Sequence, residues 1–297
     1  MATRATRKLA HYTLLEPLGT GAMASVWLGR DEQLDMNVAI KVLSPKILSD
    51  PGNLARFEQE ARAAANLRHP NIAHVFFIGR TEENLPFYAM EYIDGVSLAD
   101  VVDQRMSFTG SQVLAILIQA ARALQCASEH KILHRDVKPS NIMIAKRGAV
   151  KLVDFGLAKF YGGDLNITRP GVAVGTPAYL SPELAQGEPG DFRTDMYSLG
   201  ISAYELLAGQ PPFRADSPMN VLVKHVQDPL PALQGFCPRA PRELSRIRER
   251  ILAKLPDERY PSYAALIADF MRLAEARPDF LATRYAKCAG CGKVEPL

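Results

Sequence analysis

The order of secondary-structure signals constrains this chain most: short strand-like runs come first and long apolar helices follow. The runs YTLLEPLG (12–19), ASVWLGR (24–30), NVAIKVL (37–43), IAHVFFIG (72–79) and PFYAMEYI (86–93) read as strands. One helix interrupts them, Asn53–Leu67, with Asp50 and Pro51 placed for its start. From about residue 98 the texture is helical. SQVLAILIQAARALQCASEH (111–130) and DMYSLGISAYELLAGQ (195–210) are long and apolar, the second nearly all round, which predicts a buried helix. Two amphipathic helices are expected over 241–256 and 262–276. Strands first and helices later predict an α+β fold of two lobes, a size that 297 residues with 47% hydrophobic content can fill.

Residues 19–26, GTGAMASV, hold glycine at the first two positions of G-x-G-x-x-G and Ala24 at the third. Alone the pattern is weak, so its surroundings decide it. A dinucleotide-binding fold would open a helix here, and a Walker A loop would continue G-K-[ST]. Instead ASVWLGRD runs on as a strand. The unit is a strand–loop–strand hairpin whose backbone N–H groups can cover a nucleotide. Ala24 lacks glycine's freedom at positive φ but is the next smallest side chain.

Next comes VAIK, 38–41. A lysine at the inner end of an apolar strand needs an anion, because a buried ammonium loses its hydration. In the helix 53–67, Phe57, Glu60, Ala61, Ala64 and Leu67 share one face, so Glu60 points inward. Glu58 lies off that face, four residues from Arg62. A Lys41–Glu60 pair is expected; the bland alternative is a salt bridge of no consequence.

The third element is HRDVKPSN (134–141), followed by DFG (154–156). Asp136 and Asp154 bracket the Asn141 carboxamide and the Lys138 ammonium. Hard oxygen ligands such as Asp154 and Asn141 suit Mg²⁺, which shares its shell with phosphates. Asp136 is then left to accept the proton of a substrate hydroxyl.

With these motifs in this order, the chain resembles the protein kinase family, most closely its bacterial eukaryotic-like Ser/Thr branch, over about residues 12–275. The resemblance implies a two-lobed kinase fold. Residues 1–11 would be a flexible basic leader, 12–93 the N-lobe and hinge, 94–275 the helical C-lobe and 276–297 a tail. It implies ATP with Mg²⁺, Mn²⁺ being a possible substitute. Leu18, Gly19, Thr20 and Gly21 would form the loop over the phosphates. Lys41 would bind the α- and β-phosphates, held by Glu60. Asp136 would be the catalytic aspartate and Lys138 would steady the γ-phosphate, with Asn141 and Asp154 on the metal. Met90 resembles the gatekeeper and Glu91–Ile93 the hinge, with Val26, Ala39 and Met143 around the adenine. DVKPSN and GTPAYLSPE (175–183) are of Ser/Thr type, with Ser181 where alanine is usual. Asp195 reads as an N-cap that, by the resemblance, also ties down the backbone around His134 and Arg135. Arg259 resembles the arginine that pairs with Glu183. A pseudokinase scaffold and a small-molecule kinase are the alternatives; GTPAYLSPE, a platform for docking a polypeptide, speaks against the second.

The segment 154–183 includes GGDLNITRPGVAVGTP. Gly162 and Gly163 mark a mobile stretch, the segment has no strong periodicity to fix it by packing, and ordering by phosphorylation at Thr168 is expected. The phosphate would dock on Arg135 and Lys159, with Asp164 as the competing partner. Trans-autophosphorylation implies a meeting of two copies. Thr176 is expected to reach the catalytic loop. A net charge of +3 is too small to argue for nucleic acid, and no run has membrane-span length. The leader MATRATRKLA has no apolar core and is not read as a secretory signal. Four cysteines make no disulfide scaffold, so the cytoplasm is the expected compartment. Cys288 and Cys291 supply half of a zinc site; free thiols on a flexible tail are the preferred reading, and a zinc shared by two chains the alternative. His69, Cys126 and His225 show no partner pattern and read as packing residues.

Overall fold

In the computed structural model the described residues are 8–21, 24–45, 57–58, 61–62, 64–155, 176–232, 242–276, 285–288 and 294–296. Glu60, Lys159, Gly162, Gly163, Asp164, Thr168 and Cys291 lie outside them. The chain divides into two compact units, Met1–Asp94 and Gly95–Leu297.

The first unit is one antiparallel sheet of six strands: β1 (Lys8–Leu9), β2 (Tyr12–Thr20), β3 (Ala24–Asp31), β4 (Met36–Leu43), β5 (Val75–Arg80) and β6 (Pro86–Glu91), in the order β1-β2-β3-β4-β6-β5. Alternation along β4 divides its side chains between two faces. Val38 and Ile40, both fully buried, join Tyr12, Leu14, Phe87 and Ala89 in the core, with Trp27 and Phe77 packed against them. The opposite face carries Ala39 and Lys41. The register sets Val26 beside Lys41 and Met90 beside Ala39, so these four share that face. Phe57, Ala61, Ala64 and Leu67 are buried, as the helical periodicity predicts, and Arg62 meets Glu58 at 3.2 Å.

Two expectations are corrected in this unit. The leader does not run free to residue 11: Lys8 and Leu9 pair with Thr13 and Tyr12, and Lys8 also meets Glu32. The strand expected from Ile72 begins at Val75; Ile72 and Ala73 are buried for their apolarity but stand outside that strand.

The second unit is mainly helical: α1 (Leu98–Asp103), α2 (Gly110–Glu129), α3 (Pro182–Ala185), α4 (Phe192–Ala208), α5 (Pro218–Gln227), α6 (Arg242–Ile251) and α7 (Tyr263–Ala276). Thr109 and Gln112 close a capping box at the start of α2, which buries Val113, Leu114, Leu117, Ala121 and Leu124. Residues 194–204 of α4 are all buried, as its all-round apolarity predicts. Gly200 is required there, since a Cβ would come within 2.6 Å of Ile251. The cap of α4 is Asp191, whose side chain accepts the Arg193 N–H, and not Asp195, which lies a full turn inside. The helix expected to reach 256 stops at Ile251, because Pro256 opens a separate turn, Pro256–Glu258.

Two small antiparallel sheets complete this unit. β7 (Gly95–Ser97), β9 (Ile142–Ala145) and β10 (Val150–Leu152) form one, in the order β10-β9-β7. β8 (Met106–Ser107), β11 (Tyr285–Cys288) and β12 (Val294–Pro296) form the other. The tail is therefore not a free thread: β11 and β12 make a hairpin that adds to β8, with Cys288 opposite Met106. Among the described residues no helix is long and apolar enough to cross a membrane.

Candidate active site

In the first unit, Gly19 pairs with Val26 and Thr20 with Ser25. The Gly21 N–H donates to the Ala24 carbonyl at 2.9 Å and closes the loop. Neither Gly19 nor Gly21 has positive φ, and among the described residues a Cβ on Gly19 would meet nothing within 4 Å. The protein's own packing does not demand glycine here. Its absent side chain instead leaves the main-chain N–H groups approachable by an anion. Ala24 sits in extended backbone and is buried, so the departure from glycine costs no strain. Leu18 is exposed beside this loop. Lys41 is only 9% exposed on the Ala39–Met90 face. Met90 and Ile93 are buried, and the Glu91 N–H donates to the His74 carbonyl at 2.8 Å.

In the second unit the loop 134–141 is held from beneath. Asp195, buried in α4, accepts the His134 and Arg135 N–H groups, both at 2.7 Å. Burial, the largest influence, raises its carboxyl, and those bonds offset only part of the rise. His134, fully buried, reaches the Val153 carbonyl through Nε2 at 3.0 Å and lies 4.6 Å from the Phe155 ring. Arg135 and Asp154 have φ of 62° and 57°, in the left-handed region that residues other than glycine seldom adopt.

Four polar side chains converge above this base. Lys138 Nζ lies 2.8 Å from Asp136 Oδ2 and donates to Thr176 Oγ1 at 3.0 Å. Asn141 Nδ2 donates to the Asp136 carbonyl at 2.8 Å and to its Oδ2 at 3.0 Å. With both amide hydrogens turned to Asp136, the Asn141 oxygen is the end left for a cation. The Val153 N–H donates to the Asn141 carbonyl at 3.0 Å, which ties Asn141 to the segment bearing Asp154. One carboxamide oxygen and one carboxylate fit Mg²⁺, which binds through one or two protein ligands plus phosphates and waters. Among the described residues there is no cluster of three or more His, Cys, Asp or Glu able to hold a metal ion. Met143 lies on β9, two residues beyond Asn141.

The segment after Thr176 is fixed just as firmly. Glu183 and Arg259 form a bidentate pair at 2.9 and 2.7 Å. Tyr179 donates to Glu205 at 2.6 Å, and Ser198 donates to the Tyr179 carbonyl at 2.8 Å. The Tyr179–Glu205 bond and the contacts of His225 had no signal in the sequence, since no spacing rule joins residues so far apart.

A glycine-looped sheet carrying a buried lysine, and a helical unit with an Asp–Lys–Asn loop beside a second aspartate, define a phosphotransferase of the kinase class. The chain belongs to the protein kinase family: the model of the protein kinase domain matches residues 12–271. It is 43% identical over 274 residues to the serine/threonine-protein kinase PknB of Mycolicibacterium smegmatis, covering 90% of this chain and 44% of that one. Against PknB of Mycobacterium tuberculosis the identity is 41% over 277 residues, covering 90% and 43%. The chain thus spans less than half the length of these curated relatives. The crystal structure of the Mycobacterium tuberculosis PknI kinase domain matches with a TM-score of 0.71 at 30% identity, covering 92% of this chain and 99% of that one. The fold is the protein kinase fold of the bacterial eukaryotic-like Ser/Thr branch.

Proposed function

We propose that this chain transfers the γ-phosphate of ATP to Ser or Thr hydroxyls of proteins. The observation that carries the reading is the geometry around Asp136. Lys138 and Asn141 fix one carboxylate oxygen, and Lys138 is itself held by Thr176. Asp136 orients the attacking hydroxyl and takes its proton as the new O–P bond forms and the bond from the γ-phosphorus to the β–γ bridging oxygen breaks, releasing ADP. Lys138 offsets charge on the transferred group and Thr176 fixes its position. Asn141 and Asp154 would hold Mg²⁺, which neutralises phosphate charge when bound. Lys41 binds the α- and β-phosphates with Glu60 as its support, beneath the loop of Leu18, Gly19, Thr20 and Gly21. Val26, Ala39 and Met90, on one face of the first unit's sheet, would pack on the adenine, a role the resemblance to kinases also implies for Met143, and Glu91–Ile93 would offer it backbone groups.

On this reading residues 12–93 are the nucleotide lobe and hinge, 94–275 the lobe of the catalytic loop, and 276–297 an appended tail. Phosphorylation of Thr168 in trans, docking on Arg135 and Lys159, is the proposed activation. The compartment proposed is the cytoplasm. Zinc is left out of the proposed chemistry, because Cys288 and Cys291 make only half a tetrahedral set. Neither alternative, scaffold or small-molecule kinase, is favoured by any of these observations. The test is transfer from γ-labelled ATP, with Mg²⁺, to the chain itself and to casein. Phosphoserine or phosphothreonine in either supports the reading; label found only on small molecules, or none at all, contradicts it.

A further inference from the structure

His225 is the buried titratable group that this chemistry does not use. It lies on α5 and is fully buried. Nδ1 lies 3.0 Å from the Tyr197 hydroxyl. Nε2 makes no hydrogen bond among the described residues, and α5 packs against the turn Pro177–Tyr179. The Phe213 ring meets the imidazole edge-on at 4.9 Å, and Lys254 Nζ donates to the His225 main-chain carbonyl at 2.7 Å. Burial first, and then the Lys254 charge, push the imidazole down to about 4. It is therefore neutral at ordinary pH. With Tyr197 donating its hydroxyl proton to Nδ1, the remaining hydrogen sits on Nε2.

The turn Pro177–Tyr179 follows directly after Thr176, and Tyr179 packs against the cluster of Tyr197, Ile201, Phe213 and Leu252. One end of this segment is tied to the catalytic loop by Thr176 and Lys138. The rest is tied to α4 by Tyr179–Glu205 and Ser198. Tyr197 is fully buried and lies under the Arg259 guanidinium at 4.9 Å, so the Glu183–Arg259 pair and the His225 contact share one aromatic ring. Neither His225 nor Tyr197 reaches the reacting atoms. Both bear on the segment that a polypeptide substrate must lie against.

We propose that His225, with Tyr197, is a positioning residue for the protein substrate, holding the Thr176–Leu180 segment in the shape that receives the acceptor chain. This rests on the reading of the chain as a protein kinase. Removing the pair costs binding of the acceptor and leaves the nucleotide untouched. His225→Phe replaces the imidazole with a slightly larger ring that has no nitrogen, and Tyr197→Phe deletes one hydroxyl from an unchanged ring, so the second keeps the packing.

The test is steady-state transfer to casein, with kcat, KM for casein and KM for ATP measured separately. A lost hydrogen bond predicts KM for casein raised about three- to tenfold, with kcat and KM for ATP within about twofold. The double variant is expected to be no worse than either single one, because both delete the same contact. His225→Asn, whose amide oxygen replaces the Nδ1 acceptor, is expected to recover most of the loss. An unchanged KM for casein in both single variants, or a rise shared equally by ATP, overturns the inference. Wild-type protein that does not label casein or itself at all contradicts the kinase reading instead.

Discussion

Two ion pairs of the helical unit are built to opposite rules. Arg259 and Glu183 are 0% and 5% exposed, and every guanidinium hydrogen has an acceptor: Glu183 twice and the carbonyls of Ala253, Arg193 and Lys254. Lys138 and Asp136 are 23% and 33% exposed, and their bonds reach Thr176 and Asn141. The first pair is closed and nothing new can join it without breaking it. The second is open to water and to any substrate that replaces water. A saturated buried pair holds a fold in one shape, whereas a half-exposed pair beside a carboxamide and a second aspartate can exchange partners during a reaction.

Substitutions in the two places should therefore fail in different ways. The largest effect is expected where charge meets phosphate and metal. Lys41→Met and Asp154→Asn should each lower autophosphorylation by at least about 10²-fold while the thermal melt stays at the wild-type value. A Lys41→Met protein that labels itself at the wild-type rate removes that lysine from the mechanism.

Arg259→Ala should instead act on stability, by about 3–5 kcal/mol, because it strands a buried carboxylate. The same pair predicts a pH effect. Burial alone would raise the Glu183 carboxyl, but the bonds and charge of Arg259 outweigh it and hold it below the usual carboxylate range. The stabilisation is complete above the unfolded value of about 4.3 and is lost as pH falls through the depressed folded value. Urea melts should lose stability below that range more steeply in wild type than in Glu183→Gln.

His225 gives a smaller and separable slope. Its folded value of about 4 lies below the unfolded imidazole, so between the two the unfolded chain binds the extra proton. Stability should fall by about 2 kcal/mol from pH 7 to pH 5, and His225→Phe should flatten that part of the profile. Equal slopes in the two proteins would remove His225 as the cause. The smallest effect concerns Ser181. Its hydroxyl is fully buried and makes no hydrogen bond among the described residues. Ser181→Ala should be neutral or stabilise by up to about 1–2 kcal/mol, and a clear loss in the melt would show that the hydroxyl has a partner.

The parts legible from sequence were those set by local order. Alternation along β4 puts Lys41 on the face opposite Val38 and Ile40, and the all-round apolarity of α4 announces its burial. The catalytic loop was readable because Asp136, Lys138 and Asn141 lie within six residues of chain, so their chemistry is visible before their geometry. The resemblance to kinases carried the Glu183–Arg259 pair and the hold of Asp195 on the loop, both spanning about 60 residues or more. Contacts with neither support stayed hidden. Tyr197–His225 and Tyr179–Glu205 join residues whose spacing follows no helix or strand period. The cap of α4 was misplaced because Asp191 and Asp195 are both good capping residues, and only the structure shows which one precedes the first turn. The tail was misread because pairing with a two-residue strand such as Met106–Ser107 has no signature in composition.

The measurement that bears most directly on the division between closed and open pairs is the single-turnover transfer rate of Asp136→Asn with γ-labelled ATP, on protein whose melt matches wild type. The change keeps the size of the side chain and removes the charge that takes the hydroxyl proton. The rate is predicted to fall by about 10²–10⁴-fold. A rate within a few-fold of wild type would show that Asp136 is not the group on which the transfer depends.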